Sequence, residues 1–169
     1  ERQEIHEAID AVLESGSLIQ ASQVEAFESE FAQYCGVAHG IGVGNGTDAL
    51  FLALKAVGVG EGDAVVTVSN TAVTTVSAIV SPGARPRFVD IDPNTYLMDT
   101  SLVEAAINER TRCILPVHLY GQCVDMDTLR RLADMHALKL VEDCAQSHGA
   151  CFRGAKAGSM SDAAAFSFY

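Results

Sequence analysis

Three short segments of this 169-residue chain hold residue types that could do chemistry. The first is Gly44-Asn45-Gly46-Thr47-Asp48-Ala49-Leu50. Glycines let backbone come close to a ligand, and the exposed N–H groups of a helix start attract anions. Thr47 adds a hydroxyl donor, so the segment reads as a small phosphate cup. Gly42, Gly44 and Gly46 do not give a dinucleotide fingerprint, and no Lys-Ser/Thr follows as in a Walker A loop. A plain glycine-rich turn with Thr47 as N-cap is the competing role. The second segment is Glu142-Asp143-Cys144-Ala145-Gln146-Ser147-His148-Gly149, directly after an apolar run. A carboxylate at the end of a buried strand is costly unless a cation faces it. A protonated pyridine nitrogen is such a cation, and Glu142 or Asp143 could face it; a helix cap or a structural ion pair is the alternative. In the third segment, Ala165-Phe166-Ser167-Phe168-Tyr169, Ser167 could give a further hydroxyl to the phosphate or be an ordinary strand serine.

The elements that must position these residues alternate. The spacing of Ile5, Ala8, Ile9, Val12 and Leu13 predicts a helix over Glu1–Glu14 ended by Gly16. Ser22 and Glu25 form a capping box for a second helix that Gly36 stops. Strands are then expected at Ala38–Val43, Ala64–Val68, Arg87–Ile91, Arg112–Val117, Leu138–Val141 and Ala163–Phe168. Helices are expected at Thr47–Val57, Thr71–Val80, Ser101–Asn108 (a capping box of Ser101 and Glu104) and Met126–His136. Strand–helix alternation with continuous apolar strands predicts an α/β fold, a mainly parallel sheet with helices on both faces. Ligands of such sheets sit beyond the carboxyl ends of the strands, where the first two segments fall.

The composition agrees with an ordinary globular protein: 49% hydrophobic, 20% charged. A net charge of −11 argues against nucleic acid or an anionic membrane as partner. The five cysteines form no Cys-x-x-Cys pair, which argues against a zinc site or a disulfide framework; no metal is expected, and a reducing cytoplasm is the expected setting. The chain starts inside a helix without methionine and stops directly after an apolar run, so it reads as a piece of a longer polypeptide.

Taken together and in order, these motifs resemble the DegT/StrS family of pyridoxal-phosphate (PLP)-dependent sugar aminotransferases, which have the aspartate-aminotransferase type of fold. The resemblance extends through Val89-Asp90-Ile91-Asp92, Pro116-Val117-His118-Leu119-Tyr120-Gly121, Asp125-Met126-Asp127 and Phe166-Ser167-Phe168-Tyr169. It implies an N-terminal helical segment at 1–36 and a PLP-binding large domain at 37–169, truncated before the Schiff-base lysine. It implies that Thr47, with the backbone of Gly46 and Asp48, holds the cofactor phosphate. Asp143 would pair with the pyridinium, Gln146 would lie near the ring 3-hydroxyl, and Ser167 would be a second phosphate donor. His118 reads as a structural histidine.

The implied activity is amino transfer from an amino acid, glutamate or glutamine, to a nucleotide-linked keto sugar, in a homodimer with shared sites. Alternatives are a PLP-dependent keto-sugar dehydratase and a non-catalytic regulatory relative. Two departures stand out. Ala72 occupies the position where an aromatic ring often stacks on the cofactor. The family's lysine would fall three residues beyond Tyr169, and Lys55, Lys139 and Lys156 read as surface lysines, so no catalytic residue is expected within the chain and the fragment alone should be inactive.

Overall fold

Residues 1–169 are all described by the computed structural model and fall into two compact units, Glu1–Gly42 and Val43–Tyr169. In the first unit the helical spacing yields α1 (Arg2–Ser15), followed by α2 (Ser22–Cys35). Each ends on a left-handed glycine, Gly16 at φ 67° and Gly36 at φ 80°, a conformation in which a Cβ is strained. The expected capping box at α2 is not formed. Ala21 has the extended backbone of an N-cap, and Ser22 is already one position inside the helix. The expected strand at 38–43 is also absent. The Gly42 amide donates to the Glu28 carboxylate at 2.6 Å, and a Cβ on Gly40 would lie 2.6 Å from the Glu28 carbonyl oxygen. An amide held by a side chain cannot join a strand ladder, and the apolar pattern had nothing to bury, since Ile41 is 82% exposed.

The second unit is built on five parallel strands: β1 (Ala64–Val68), β2 (Arg85–Val89), β3 (Thr111–Ile114), β4 (Lys139–Asp143) and β7 (Ala163–Ala165), in the order β2-β1-β3-β4-β7. A two-strand hairpin, β5 (Cys151–Phe152) and β6 (Ala155–Lys156), lies between β4 and β7 in sequence. Its turn residues Arg153 and Gly154 both have positive φ, as a tight hairpin requires. At two residues each, these strands are too short to leave a pattern in the sequence. β2 is an edge strand, which is why Pro86 is tolerated within it.

Helices α3 (Gly46–Ala56), α4 (Val73–Val80), α5 (Val103–Ala106) and α6 (Met126–Met135) cover the sheet. Strand side chains alternate between two cores. Val65, Cys113, Val141 and Ala165 pack with Leu50 and Leu54 of α3 and Ala78 and Ile79 of α4. Val66, Ile114 and Leu140 pack with Val103 of α5 and Leu129, Leu132 and Ala133 of α6. Each fully buried Leu, Ile or Val contributes about 1.5–3 kcal/mol, so both layers are firmly held.

Several boundaries differ from expectation in ways that matter for the site. β4 runs two residues past its apolar stretch and includes Glu142 and Asp143. β7 stops at Ala165, so Ser167 stands beyond its carboxyl end. The expected helix from Ser101 is a short 3₁₀ turn leading into α5. Asp99, not Ser101, is its cap, its carboxylate accepting the Ser101 amide at 2.9 Å. The chain leaves β1 for β2 on one side and later returns to β3 on the other, so β1 and β3 flank the topological switch point.

Candidate cofactor site

The two adjacent acids at the end of β4 point to opposite faces of the sheet. Asp143 follows Val141 toward α3 and α4; Glu142 follows Leu140 toward the α6 layer. Asp143 is 4% exposed. The Thr75 hydroxyl on α4 donates to its Oδ2 at 2.7 Å, and the Ala145 amide donates to Oδ1 at 3.1 Å. Thr71 backs Thr75, with the two hydroxyl oxygens 2.7 Å apart. Burial pushes the Asp143 carboxyl above its ordinary value, and the donors from Thr75 and Ala145 only partly oppose this. No lysine, arginine or histidine of the chain forms an ion pair with it. A buried carboxylate with neutral donors and no cation is suited to a cationic group brought by a ligand.

Glu142 and Asp143 differ in their neighbours. All of the Glu142 oxygens are engaged inside the protein, by His118, the Gly158 and Met160 amides, and the Ser161 hydroxyl. Burial alone would raise its pKa, but these hydrogen bonds outweigh burial and hold the carboxyl below its usual value. His118 is fully buried, and its Nδ1 accepts the Val124 amide at 3.2 Å. Its hydrogen therefore sits on Nε2, directed at Glu142. The ligand atoms of His118, Glu142 and Cys144 lie within 4.8 Å of one another, but the histidine and carboxylate lone pairs are already committed, and burial pushes the Cys144 thiol up. This is a chemistry of structure, not of metal binding.

The cup forms at the start of α3. Asn45 is the N-cap: its side-chain oxygen accepts the Asp48 amide at 3.0 Å, and its amide group donates to the Asp48 carboxylate at 2.8 Å. Thr47 is therefore not the cap. The Asp48 amide, expected to face a phosphate, is taken by Asn45. The amides of Gly46 and Thr47 are left without helical partners, as the first turn must leave them. Ser167, coming off β7, meets this turn: a Cβ on Gly46 would lie 2.7 Å from the Ser167 Cβ and 2.9 Å from its Oγ. Residues 121 positions apart in sequence thus form one cradle, which leaves no room for a Cβ at position 46.

Gln146 lies near the β4 end, its Oε1 accepting the Tyr120 amide at 3.2 Å. Tyr120 has φ 58° and Gly121 φ 77°, so the backbone there makes an unusual left-handed step. Ala72 is the exposed N-cap of α4, one turn before Thr75, so no ring stands at that position. Thr75 escaped the sequence reading. Its only signal was the Thr71–Thr75 spacing on one helical face after β1.

A buried carboxylate at the carboxyl end of one strand and a helix start that meets a serine beyond another thus stand on one parallel sheet, an arrangement suited to holding a cofactor. The chain belongs to the DegT/DnrJ/EryC1/StrS aminotransferase family, whose model matches residues 1–169. It is 63% identical over 169 residues to a dTDP-3-amino-3,4,6-trideoxy-alpha-D-glucose transaminase of Micromonospora megalomicea subsp. nigra, covering all of this chain and 45% of that protein. Among solved structures it matches S. venezuelae DesV in complex with a ketimine intermediate at TM-score 0.97 and 49% identity, covering 99% of this chain and 45% of that one. It also matches the PMP form of Spr1654, a putative sugar aminotransferase from Streptococcus pneumoniae, at TM-score 0.94 and 30% identity, covering 100% and 46%. The chain thus spans about half the length of the proteins it matches.

Proposed function

We propose that the full-length protein is a PLP-dependent aminotransferase that moves an amino group from glutamate or glutamine to the keto carbon of a nucleotide-linked sugar. The observation that carries this reading is the buried Asp143, which has two neutral donors and no cation from its own chain. The names of the relatives support a sugar nucleotide as acceptor.

The residues present fit the cofactor at both ends. Asp143 would face the ring nitrogen, and the Gly46–Thr47 turn with Ser167 would hold the phosphate. Bound there, PLP would supply an electron sink for breaking the donor's Cα–H bond and a carrier for the amine. The protein's part is to keep a negative charge at Asp143 in a dry setting, where it favours the protonated ring nitrogen. Thr75 and the Ala145 amide orient that carboxylate, and Gln146 would offer its NH₂ group near the ring 3-hydroxyl. No helix is long and apolar enough to cross a membrane. We read the enzyme as a cytoplasmic homodimer with shared sites.

Thr75→Val keeps the side-chain shape and removes the donor to Asp143. A lost hydrogen bond to a charged group is worth about 1.5–3 kcal/mol, so amino transfer should slow by roughly tenfold or more. With a donor gone, the Asp143 pKa rises further, and the acid limb of the kcat/KM profile should move to higher pH. An unchanged acid limb would remove Thr75 from the site.

The functional reading is tested on the full-length protein with PLP. Borohydride reduction, digestion and mass spectrometry should find a pyridoxyl-lysine shortly after Ser167-Phe168-Tyr169. Bound cofactor that is never fixed would point instead to the dehydratase reading, and no cofactor absorbance would end the PLP assignment.

A further inference from the structure

Glu142 and His118 are both fully buried, and amino transfer as described above leaves them unused. Removing a carboxylate from water costs several kcal/mol, and an apolar residue of similar volume often stabilises a core as well or better. What a carboxylate adds is direction: four donors at fixed angles. His118 Nε2 and the Gly158 amide donate to Oε2, each at 2.9 Å. The Met160 amide, at 3.0 Å, and the Ser161 hydroxyl, at 2.7 Å, donate to Oε1.

The two arms of this network lead to the two ends of the cofactor site. On one side, the His118 backbone amide donates to the Asp143 carbonyl at 3.0 Å, and the Asp143 amide donates to the Pro116 carbonyl at 3.0 Å. His118 is therefore tied to Glu142 by its ring and to Asp143 by its backbone. On the other side, Gly158 has φ +88°, and a Cβ there would lie 2.6 Å from the Phe166 ring. The ring of Phe166 rests on this bare glycine, which Glu142 holds, and the next residue is Ser167.

We propose that Glu142 is a positioning residue: with His118 it fixes the separation between Asp143 and Ser167, and so fits the site to a ligand carrying both a pyridinium and a phosphate. This rests on the assignment of Asp143 and Ser167 to PLP.

The test uses the full-length protein and compares the dissociation constants of PLP and of pyridoxal, which lacks the phosphate, by absorbance titration. Glu142→Gln keeps volume but turns an NH₂ group toward the Gly158 and His118 donors. Phe166→Leu loosens the other arm without touching a buried charge. In both variants the advantage of PLP over pyridoxal should fall about tenfold. Ser167→Ala, expected to weaken PLP binding in the parent, should cost nothing further in the Glu142→Gln background. If both variants lower thermal stability but keep the PLP-to-pyridoxal ratio and the full Ser167→Ala effect, Glu142 is structural only and the proposal is overturned. Should Glu142→Gln fail to fold, an unchanged ratio in Phe166→Leu overturns it alone. A parent that does not distinguish PLP from pyridoxal overturns the cofactor reading itself, a failure visible before any variant is made.

Discussion

Replacing Asp143 by alanine in the full-length protein is expected to lower amino-transfer turnover by about 10²–10⁴-fold, and Asp143→Asn to stabilise the cofactor-free protein at neutral pH. The two effects share one cause. Asp143 is buried without a cation of its own chain, so its charge is favourable only toward a cationic ligand. Removing one member of a buried ion pair costs about 3–5 kcal/mol, which gives the loss in turnover. Without ligand the sign reverses. The folded carboxyl has a pKa above the ordinary 3.8, so between 3.8 and that higher value the folded state binds more protons than the unfolded one. Stability therefore falls as pH rises through this window, and the deficit is complete above the folded pKa. Asparagine removes it, so its melting-temperature advantage should grow as pH rises and vanish near the ordinary carboxylate range. Melts of the cofactor-free proteins at several pH values, beside turnover of the loaded ones, read both effects. An Asp143→Asn protein that is active and less stable at pH 8 would contradict the assignment.

The same residue marks how far the sequence could be read. The alternation of apolar runs and helix patterns predicts a parallel α/β sheet, and the sheet is there. That prediction works because strands buried on both faces are continuous apolar runs, a signal that survives without tertiary context. The expected strand at 38–43 had a similar pattern but no partner, and the Glu28 carboxylate captured its Gly42 amide. Ser22 and Ser101 matched capping boxes, yet Ala21 and Asp99 stand at the helix starts. Capping depends on which residue takes extended φ and ψ, a choice that a spacing of three does not determine. Of the residues proposed for the site, Gly46, Asp143 and Ser167 were named from their motifs, which need no tertiary context. Between Glu142 and Asp143 the residues alone left the choice open and only the resemblance named Asp143, since the physical difference is which face of β4 meets Thr75 and which meets His118. A one-residue shift in register would have exchanged their roles.

Gly46→Ala is the second large effect, and it tests whether the cradle is a phosphate site or only a helix start. At a generic first helical turn, alanine replaces glycine with little penalty and often with a gain in stability. Here the new methyl would lie 2.7 Å from the Ser167 Cβ and 2.9 Å from its Oγ. One of the two segments must move, and overpacking of this kind costs about 1–3 kcal/mol. Because the displaced groups are the proposed phosphate donors, most of that cost should appear in binding. The PLP dissociation constant is expected to rise by one to two orders of magnitude, with a much smaller change for pyridoxal. The cofactor-free protein should lose only a few degrees in melting temperature, since the backbone around 46 and 167 lies outside the sheet ladder. Thr47→Ala serves as the comparison: it removes one hydroxyl without crowding, and should weaken PLP binding by less than Gly46→Ala does. If Gly46→Ala binds PLP as the parent does, the closeness of Gly46 and Ser167 is packing alone, and the phosphate must be held elsewhere.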